Sequence, residues 1–212
     1  MICRSASEFG GGIYTRSGTL TVSGSTLENN SAGFYGGGIC DNGVAGTVTV
    51  TDSIVSGNSA FYYGGGIYEY EVAGTVTVTD SILSSNTAGL GGGGICSAGG
   101  MVTVNGSTLS GNKATQGGGV FNSGGTVELD DSTLSGNSAS VGAAILNELV
   151  DGGTATVSGC TLTDNIAGIG SGSIENRSSD ASSLTVRNST FSGDQPKAIH
   201  GAYTDGGGNS GI

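Results

Sequence analysis

The chain has 212 residues, including 44 glycines and one proline, and its formal net charge at pH 7 is −11. The glycines follow no Gly-X-Y period, which excludes collagen. Only six lysines and arginines are available to meet phosphates, so we expect neither nucleic acid nor an anionic membrane surface as a partner. No run approaches the ~20 apolar residues of a membrane helix, so no membrane span is expected.

Three landmarks alternate along the chain from its first residues onward. A glycine-rich tripeptide leads into an aliphatic residue, an alternating strand such as "TVTVT" follows, and an asparagine comes ten residues after the start of each apolar pair. The aliphatic residues are Ile13, Ile39, Ile67, Ile95, Val120, Ile145, Ile174 and Ile199. The apolar pairs are Leu20/Val22, Val48/Val50, Val76/Val78, Val102/Val104, Val127/Leu129, Ala155/Val157 and Leu184/Val186.

These landmarks recur at a period that indicates a solenoid. Successive apolar pairs start 28, 28, 26, 25, 28 and 29 residues apart. Propeller blades need about 40 residues each, and the Leu-x-x-Leu-x-Leu pattern of leucine-rich repeats is absent. Alternation with period two predicts β-strands, with Val48 and Val50 facing inward and the threonines outward. A second short strand is predicted at "SIV" or "STL", and a third at "GGGIY".

We therefore predict an all-β fold, a right-handed parallel β-helix of about seven to eight turns of 25–29 residues. Each turn has three short strands, and residues 1–212 form a single domain. Each strand pairs with its copy in the next turn, ~4.8 Å away. Solenoid coils need covering at both ends. We expect the chain to be either a fragment of a longer protein or a unit that stacks end to end.

The asparagine column is interpreted as structural, because an asparagine at a fixed bend satisfies backbone groups and stacked amides bond to one another. Its members are Asn30, Asn58, Asn86, Asn112, Asn137 and Asn165, with Asp194 in the last turn.

The "GGGI" and "L-x-x-N" motifs resemble the Gly-Gly-Ala-Ile and Phe-x-x-Asn repeats of chlamydial-type polymorphic outer-membrane proteins. More broadly, they are similar to the right-handed β-helices grouped with pectate lyases. "GGGI" is intact at Gly10–Ile13, Gly36–Ile39, Gly64–Ile67 and Gly92–Ile95. The resemblance implies an autotransporter passenger that is secreted or displayed on the cell surface.

The cysteines predict neither a disulfide nor a metal site. Cys40 and Cys96 occupy equivalent places two turns apart, about 9.6 Å, which exceeds the ~7 Å limit for a disulfide. Cys160 takes an inward serine position, and the chain has a single histidine, His200, which we expect to be satisfied or solvent-facing.

Aromatic residues crowd the N-terminal third and predict a platform for sugar rings or for a partner protein. Phe34, Phe61, Tyr62 and Tyr70 lie close to it in sequence, and Asp41 is a further acid beside it. The predicted platform consists of Phe9, Tyr14, Tyr35, Tyr63, Tyr68, Glu69 and Glu71.

The outward threonines form an alternative surface, similar to the ice-binding face of several β-solenoid antifreeze proteins. The purely structural interpretation is that threonine is a favourable residue on the solvent-facing side of a strand. The threonine face consists of Thr19, Thr21, Thr47, Thr49, Thr75, Thr77, Thr103, Thr126, Thr154 and Thr156.

Carboxylates offer a third candidate site. Asp52 and Asp80 occupy equivalent positions on neighbouring turns, so Ca²⁺ binding is conceivable, although screened repulsion in solvent is the commoner outcome. No cofactor is otherwise expected. Glycosidase chemistry needs two carboxylates across a cleft. Three pairs qualify only because they supply two carboxylates: Asp52/Asp80, Glu69/Glu71 and Glu128/Asp130. The nearest basic partner is Arg187, two turns from Asp130.

These observations favour a secreted or cell-surface structural or adhesive module that binds a polysaccharide or a cell-surface partner. An enzyme acting on polysaccharide, a lyase or a hydrolase, is one alternative. An ice-binding protein that uses the threonine face is the other.

Overall fold

The computed structural model describes residues 8–16, 18–43, 45–70, 73–148 and 153–212. The chain winds into an all-β parallel solenoid in which each strand pairs in parallel with its counterpart one coil later. The predicted fold class is confirmed. The solenoid has about six turns, slightly fewer than the seven to eight predicted. Sheets of eight, eight and seven strands line the described coils, so the terminal coils are incomplete.

Three main sheets form the walls, as three strands per turn predict. Sheet A contains Ile13–Thr15, Ile39–Asp41, Ile67–Glu69, Ile95–Ser97, Val120–Ser123, Ile145–Glu148, Ile174–Asn176 and Ile199–His200. Sheet B contains Thr19–Ser23, Thr47–Thr51, Thr75–Thr79, Met101–Asn105, Thr126–Asp130, Thr154–Ser158, Leu184–Arg187 and Thr204–Asp205. Sheet C contains Thr26–Glu28, Ile54–Ser56, Ile82–Ser84, Thr108–Ser110, Thr133–Ser135, Thr161–Thr163 and Thr190–Ser192.

Shorter elements complete the coils. A fourth sheet, sheet D, pairs the two-residue strands Ser31–Ala32, Ser59–Ala60 and Thr87–Ala88. A 3-10 turn, Ala181–Ser183, precedes a late strand of sheet B. Among the described residues, no helix has the length and apolarity needed to cross a membrane.

The core is a column of aliphatic side chains that runs through the centre of the coils. In one coil Ile39, Val48, Val50 and Val55 are all fully buried. Burial of such a side chain contributes about 1.5–3 kcal/mol, as an upper estimate. The core therefore depends on neighbouring coils, which cover each layer from both sides.

The glycine tripeptide is required by close backbone approach. Gly36 has a φ of 65°, in the left-handed region that favours glycine. A Cβ on Gly37 would collide with the carbonyl oxygens of Gly65 and Ser59. The same constraint in successive coils explains why "GGGI" recurs.

The asparagine column is a hydrogen-bonded ladder inside the solenoid. Each asparagine donates its backbone N–H and its Nδ2–H to the Oδ1 of the next asparagine, with Nδ2–Oδ1 distances of 2.9–3.1 Å. Nδ2 also donates to a carbonyl of the preceding coil, as Asn86 does to Val55 at 2.9 Å. All six asparagines are at most 2% exposed. The structural interpretation of this column is confirmed.

A serine column repeats the same arrangement at the preceding bend. The Oγ atoms of Ser53, Ser81, Ser107 and Ser132 each accept the backbone N–H of the preceding coil at 3.0–3.1 Å. Cys160 continues this column, as its sequence position predicts, and its own N–H donates to Ser189 Oγ at 3.1 Å.

Asn86→Ala is expected to lower the free energy of unfolding by about 3 kcal/mol. The substitution leaves the backbone N–H and Nδ2 of Asn58 and the carbonyl of Val55 buried without their partner. The measurement is chemical denaturation followed by circular dichroism. Asn105→Ala, on the exposed face of sheet B, is the matched control and should change the midpoint little. Equal effects of the two substitutions would contradict the role of the ladder.

Asp194→Asn is expected to raise the melting temperature at pH 7. Asp194 Oδ1 accepts from Asn165 N and Nδ2, but burial raises the pKa of this carboxyl above its ordinary 3.8. The folded state thus holds the proton more tightly than the unfolded state, so stability is lost as the pH rises from about 3.8 through the folded pKa. An amide carries no such charge. The two proteins should therefore melt alike below this window and diverge above it. Equal melting temperatures of the two proteins at every pH would contradict this prediction.

Candidate functional site

The candidate site is a column of rings on the outer side of sheet A. The central residue of each sheet A strand points away from the aliphatic core, and a second apolar cluster forms there around Cys40, Tyr68, Cys96, Phe121 and Leu146. A parallel row from the preceding loop packs against it, paired through the bridges Phe9–Tyr35, Tyr35–Tyr63 and Tyr63–Gly91.

We call six of these rings the aromatic stack: Phe9, Tyr14, Tyr35, Tyr63, Tyr68 and Phe121. Neighbouring centroids lie 4.8 Å apart for Tyr35–Tyr68, 5.7 Å for Phe9–Tyr14 and 6.0 Å for Tyr63–Phe121, with interplanar angles of 26° or less. Offset stacking at such distances is attractive beyond the area that it buries. The sequence-predicted platform rings are therefore brought together, and Phe121 joins them.

Most rings of the stack are covered. Tyr68 and Phe121 are 5% and 4% exposed, Tyr35 and Tyr63 are half-buried, and Tyr14 is exposed. Burial raises the pKa of the Tyr68 hydroxyl, and it is also the main cause of the raised pKa of Tyr63. Both phenols therefore stay neutral in ordinary buffers.

Four apolar side chains lie beside the stack, three of them exposed and Tyr62 half-buried, and we call them the exposed strip: Phe34, Phe61, Tyr62 and Leu90. Phe61 is 66% exposed, Leu90 40% and Phe34 37%. Phe34 and Tyr62 stack at 5.6 Å and 12°, and Phe61 meets Tyr62 edge-on at 4.8 Å. Phe34 and Tyr62 are successive rungs, since Tyr62 N–H donates to the Phe34 carbonyl at 2.9 Å. The rings of the exposed strip are thus ones that the predicted platform did not include.

Two predicted platform acids lie elsewhere or are not described. Glu69 follows Tyr68 in its strand, so alternation turns it to the inner face, where it is fully buried. Its Oε2 accepts from Ser97 Oγ at 3.1 Å and from Gly100 N–H at 3.0 Å. Asp41 occupies the same column one coil earlier and is also buried. Glu71 lies outside the described residues.

This inner column contains a second asparagine ladder that the sequence analysis missed. Asn122 Nδ2 donates to Asn147 Oδ1 at 2.8 Å, and Asn147 Nδ2 donates to Asn176 Oδ1 at 3.0 Å. Asp41, Glu69 and Ser97 hold the preceding rungs. The signal was the residue two places after each sheet A isoleucine or valine, which is polar in the seven coils from Thr15 to Asn176.

The threonine face is assembled in register on sheet B. One outward column runs through Thr47, Thr75, Met101 and Thr126, and the next through Thr49, Thr77, Thr103 and Glu128. All ten predicted threonines are on this face and are exposed or half-buried. Met101 and Glu128 interrupt it at the fourth and fifth coils.

The backbone conformation explains why aspartate occupies both positions of the predicted carboxylate pair. Asp52 and Asp80 are exposed at a bend, both with a φ of 49°. Aspartate tolerates this left-handed conformation better than most residues. No group of three or more potential metal ligands occurs within the described ranges. Arg187 does lie in the column of Asp130, with Ser158 between them.

The cysteines of the described part of the chain are buried and free. Burial, followed by the neighbouring Asp41 charge, raises the pKa of Cys40 to about 12, and burial raises that of Cys160 to about 11. These thiols behave as core residues. His200 is half-buried, and its Nδ1 lies 2.9 Å from Glu175 Oε1, so it is satisfied by a carboxylate. Ser171 Oγ donates to the Oε2 of the same carboxylate at 2.6 Å.

No protein-family model, curated protein or solved structure matches this chain. The architecture shows a parallel β-solenoid of stacked coils, and the resemblance to particular solenoid families depends on the sequence motifs alone.

Proposed function

We propose that the protein is an adhesive β-solenoid module, secreted or displayed on a cell surface, that binds glycans or a partner surface through the exposed strip. The observation that carries this proposal is the contiguity of Phe34, Phe61, Tyr62 and Leu90 on one edge of the solenoid. Large apolar side chains that share one patch are typical of interaction sites, whereas scattered ones need no explanation.

The strip is also built to remain in place when a ligand binds. Phe34 contacts Phe9 and Tyr35 of the aromatic stack, at centroid distances of 6.5 and 6.2 Å. Tyr62 likewise contacts Tyr35 at 6.0 Å. Rings that are already ordered lose little conformational entropy on binding, which favours affinity.

The motif resemblance supports the proposed location, which is secreted or displayed on a cell surface. Its "GGGI" and "L-x-x-N" repeats resemble those of surface-displayed passengers, which are found outside the cell. The net charge of −11 favours neutral over acidic ligands, because a negatively charged surface repels them.

Replacing both Phe34 and Phe61 by alanine is expected to weaken retention at least tenfold. Truncation of a central aromatic anchor commonly removes about 2 kcal/mol of binding free energy. The assay is retention of labelled protein on a glycan array, on immobilised neutral polysaccharides and on cells.

Ile169 is a fully exposed apolar side chain that does not belong to the strip. Ile169→Ala is therefore the matched control. It should bind like the original protein, and the unfolding midpoints should agree. If the control variant loses as much retention as the double variant, the strip is not the binding surface. If the original protein is retained on no surface, the adhesive proposal fails.

Ice binding is a second candidate, favoured by the exact register of the threonine columns on sheet B. Hydroxyls repeat about every 4.8 Å between coils on a face of stacked strands. If this face orders water, the protein will inhibit ice recrystallisation, and Thr77→Lys will abolish the effect. Thr161→Lys, on the exposed face of sheet C, should not. Absence of thermal hysteresis and of recrystallisation inhibition in the original protein would remove this candidate.

A further inference from the structure

Phe61 is the most exposed side chain of the exposed strip, and it stands between two glycines. Its N–H donates to the Ala32 carbonyl at 3.3 Å, and one coil later the Gly89 N–H donates to the Ala60 carbonyl at 3.2 Å. Gly33, Phe61 and Gly89 are therefore equivalent positions in three successive coils. Because the two neighbouring coils have no side chain at this position, the ring of Phe61 protrudes as a single wall and is 66% exposed.

A cavity of about 380 Å³ lies on the Gly33 side of this wall, and we call it the Phe61 cleft. Its volume is at the lower end of the ~300–1,000 Å³ that small-molecule sites occupy, which suits a ligand of one ring. No charged side chain belongs to the lining of the cleft. Besides Phe61, the lining consists of small residues: Ser31, Ala32, Gly33, Ser59 and Ala60.

Two hydroxyls in the cleft are placed to meet a polar ligand. Ser31 and Ser59 occupy paired positions in neighbouring strands of sheet D, and both are half-buried. Ser59 Oγ donates to Ser31 Oγ at 3.1 Å, which leaves the Ser31 hydroxyl proton without an acceptor among the described residues. The Ser31 hydroxyl is therefore available as a donor, and the Ser59 oxygen is available as an acceptor.

We propose that the Phe61 cleft binds one neutral pyranose ring of a glycan. The C–H face of the sugar lies against the face of the Phe61 ring, whose negative π system attracts the weakly positive C–H groups. One sugar hydroxyl accepts from Ser31, and another donates to Ser59. This inference rests on the proposed function, because it names the ligand class of the exposed strip and the part of the strip that recognises it.

The chemistry of the cleft favours a sugar over other occupants. A purely apolar ligand would take the two serine hydroxyls out of water without replacing their hydrogen bonds, which costs free energy. A protein interface of standard size needs about 20–30 residues a side, whereas the exposed strip has four side chains. An acidic sugar would find no positive charge in the lining and would approach a protein of net charge −11.

The test titrates the protein with the methyl glycosides of glucose, galactose, mannose and N-acetylglucosamine, and saturation-transfer NMR is the readout. At least one glycoside is expected to saturate with a Kd on the order of 1 mM, the range for so small a ligand. Saturation should reach the C–H protons of one sugar face most strongly. p-Cresol, which has a ring but a single hydroxyl, should bind more weakly than that glycoside.

Variants of Phe61 separate a stacked sugar from a merely apolar contact. Phe61→Leu keeps an apolar side chain but has no flat ring, and it is expected to weaken glycoside binding about fivefold through the loss of stacking. Phe61→Tyr keeps the ring and should leave the Kd unchanged. Because Phe61 is exposed, both variants should retain the unfolding midpoint of the original protein.

The serine hydroxyls are tested in the same assay. Ser31→Ala and Ser59→Ala should each weaken glycoside binding about fivefold, because each removes one hydrogen bond. Ser138→Ala is the matched control. Ser138 is half-buried and continues the column of Ser59 three coils later, outside the cleft, so the control should leave the Kd unchanged.

Three outcomes would overturn the proposal: no saturation by any glycoside, undiminished binding by Phe61→Leu and both cleft serine variants, or tighter binding of p-cresol than of every glycoside. Phe34→Ala distinguishes this failure from failure of the proposed function. It removes a strip ring outside the cleft, so it should weaken array retention and leave the glycoside Kd unchanged. Array retention without glycoside binding contradicts the cleft alone, and glycoside binding without retention on any surface contradicts the adhesive function alone.

Discussion

The fold depends on one interaction, the hydrogen bond between the buried asparagine side chain of each coil and that of the next coil. A chain that bends inside a solenoid has backbone groups that water cannot reach, and these must find partners within the protein. Asn86 satisfies two of them, since its Oδ1 accepts from the Asn58 N–H and its Nδ2 donates to the Val55 carbonyl, and Nδ2 also donates to the side chain of Asn112. In every coil, ten residues separate the start of the apolar pair from the ladder residue. An insertion there would break the hydrogen bonds of the ladder residue with both neighbouring coils.

The bends before each ladder explain several polar residues that otherwise suggest chemistry. The residue before each inward serine or asparagine adopts a left-handed conformation, for instance Asp52, Ser85 and Asp131, or Gly57 and Gly106. Glycine, asparagine and aspartate are the residues that tolerate it best. The exposed acids at these positions therefore follow from backbone geometry. The fold does not require the side chains of the exposed strip or the outward threonines of sheet B. These surfaces are therefore the ones available for a function.

Repetition made most of the fold predictable from the sequence. Residues at one period must stack, so the register of Val48 on Val76 and of Asn58 on Asn86 could be predicted from the repeat spacing alone. A column of mixed chemistry can be recognised only from the spacing of its members, and not from their residue types. Asp41, Glu69, Ser97 and Asn122 share one buried position, although nothing in their types indicates it.

The candidate site was predictable only in part. Stacking of Phe9, Tyr35 and Tyr63 follows from the period, but their depth of burial does not, because loop residues obey no alternation rule. Phe61 protrudes where Tyr63 is half-covered, two residues away. Placement of Glu69 on the inner face, by contrast, was available from the alternation within its strand.

The asparagine ladder also has a direction, which restricts how such a solenoid can associate at its ends. Every rung donates toward the next coil and accepts from the preceding one, so the first rung described presents an acceptor. Asn30 Oδ1 is buried and accepts no hydrogen bond from the residues that the structure describes, and it lies beside a cavity of about 300 Å³ lined by Ile13, Leu20, Val22 and Leu27. A coil that arrives in the same orientation brings donors and apolar side chains to this end. A copy that arrives in the reversed orientation brings a second acceptor, and two buried oxygens then face each other unpaired. The direction of the ladder therefore makes a head-to-tail contact and a head-to-head contact chemically different at this end of the described coils.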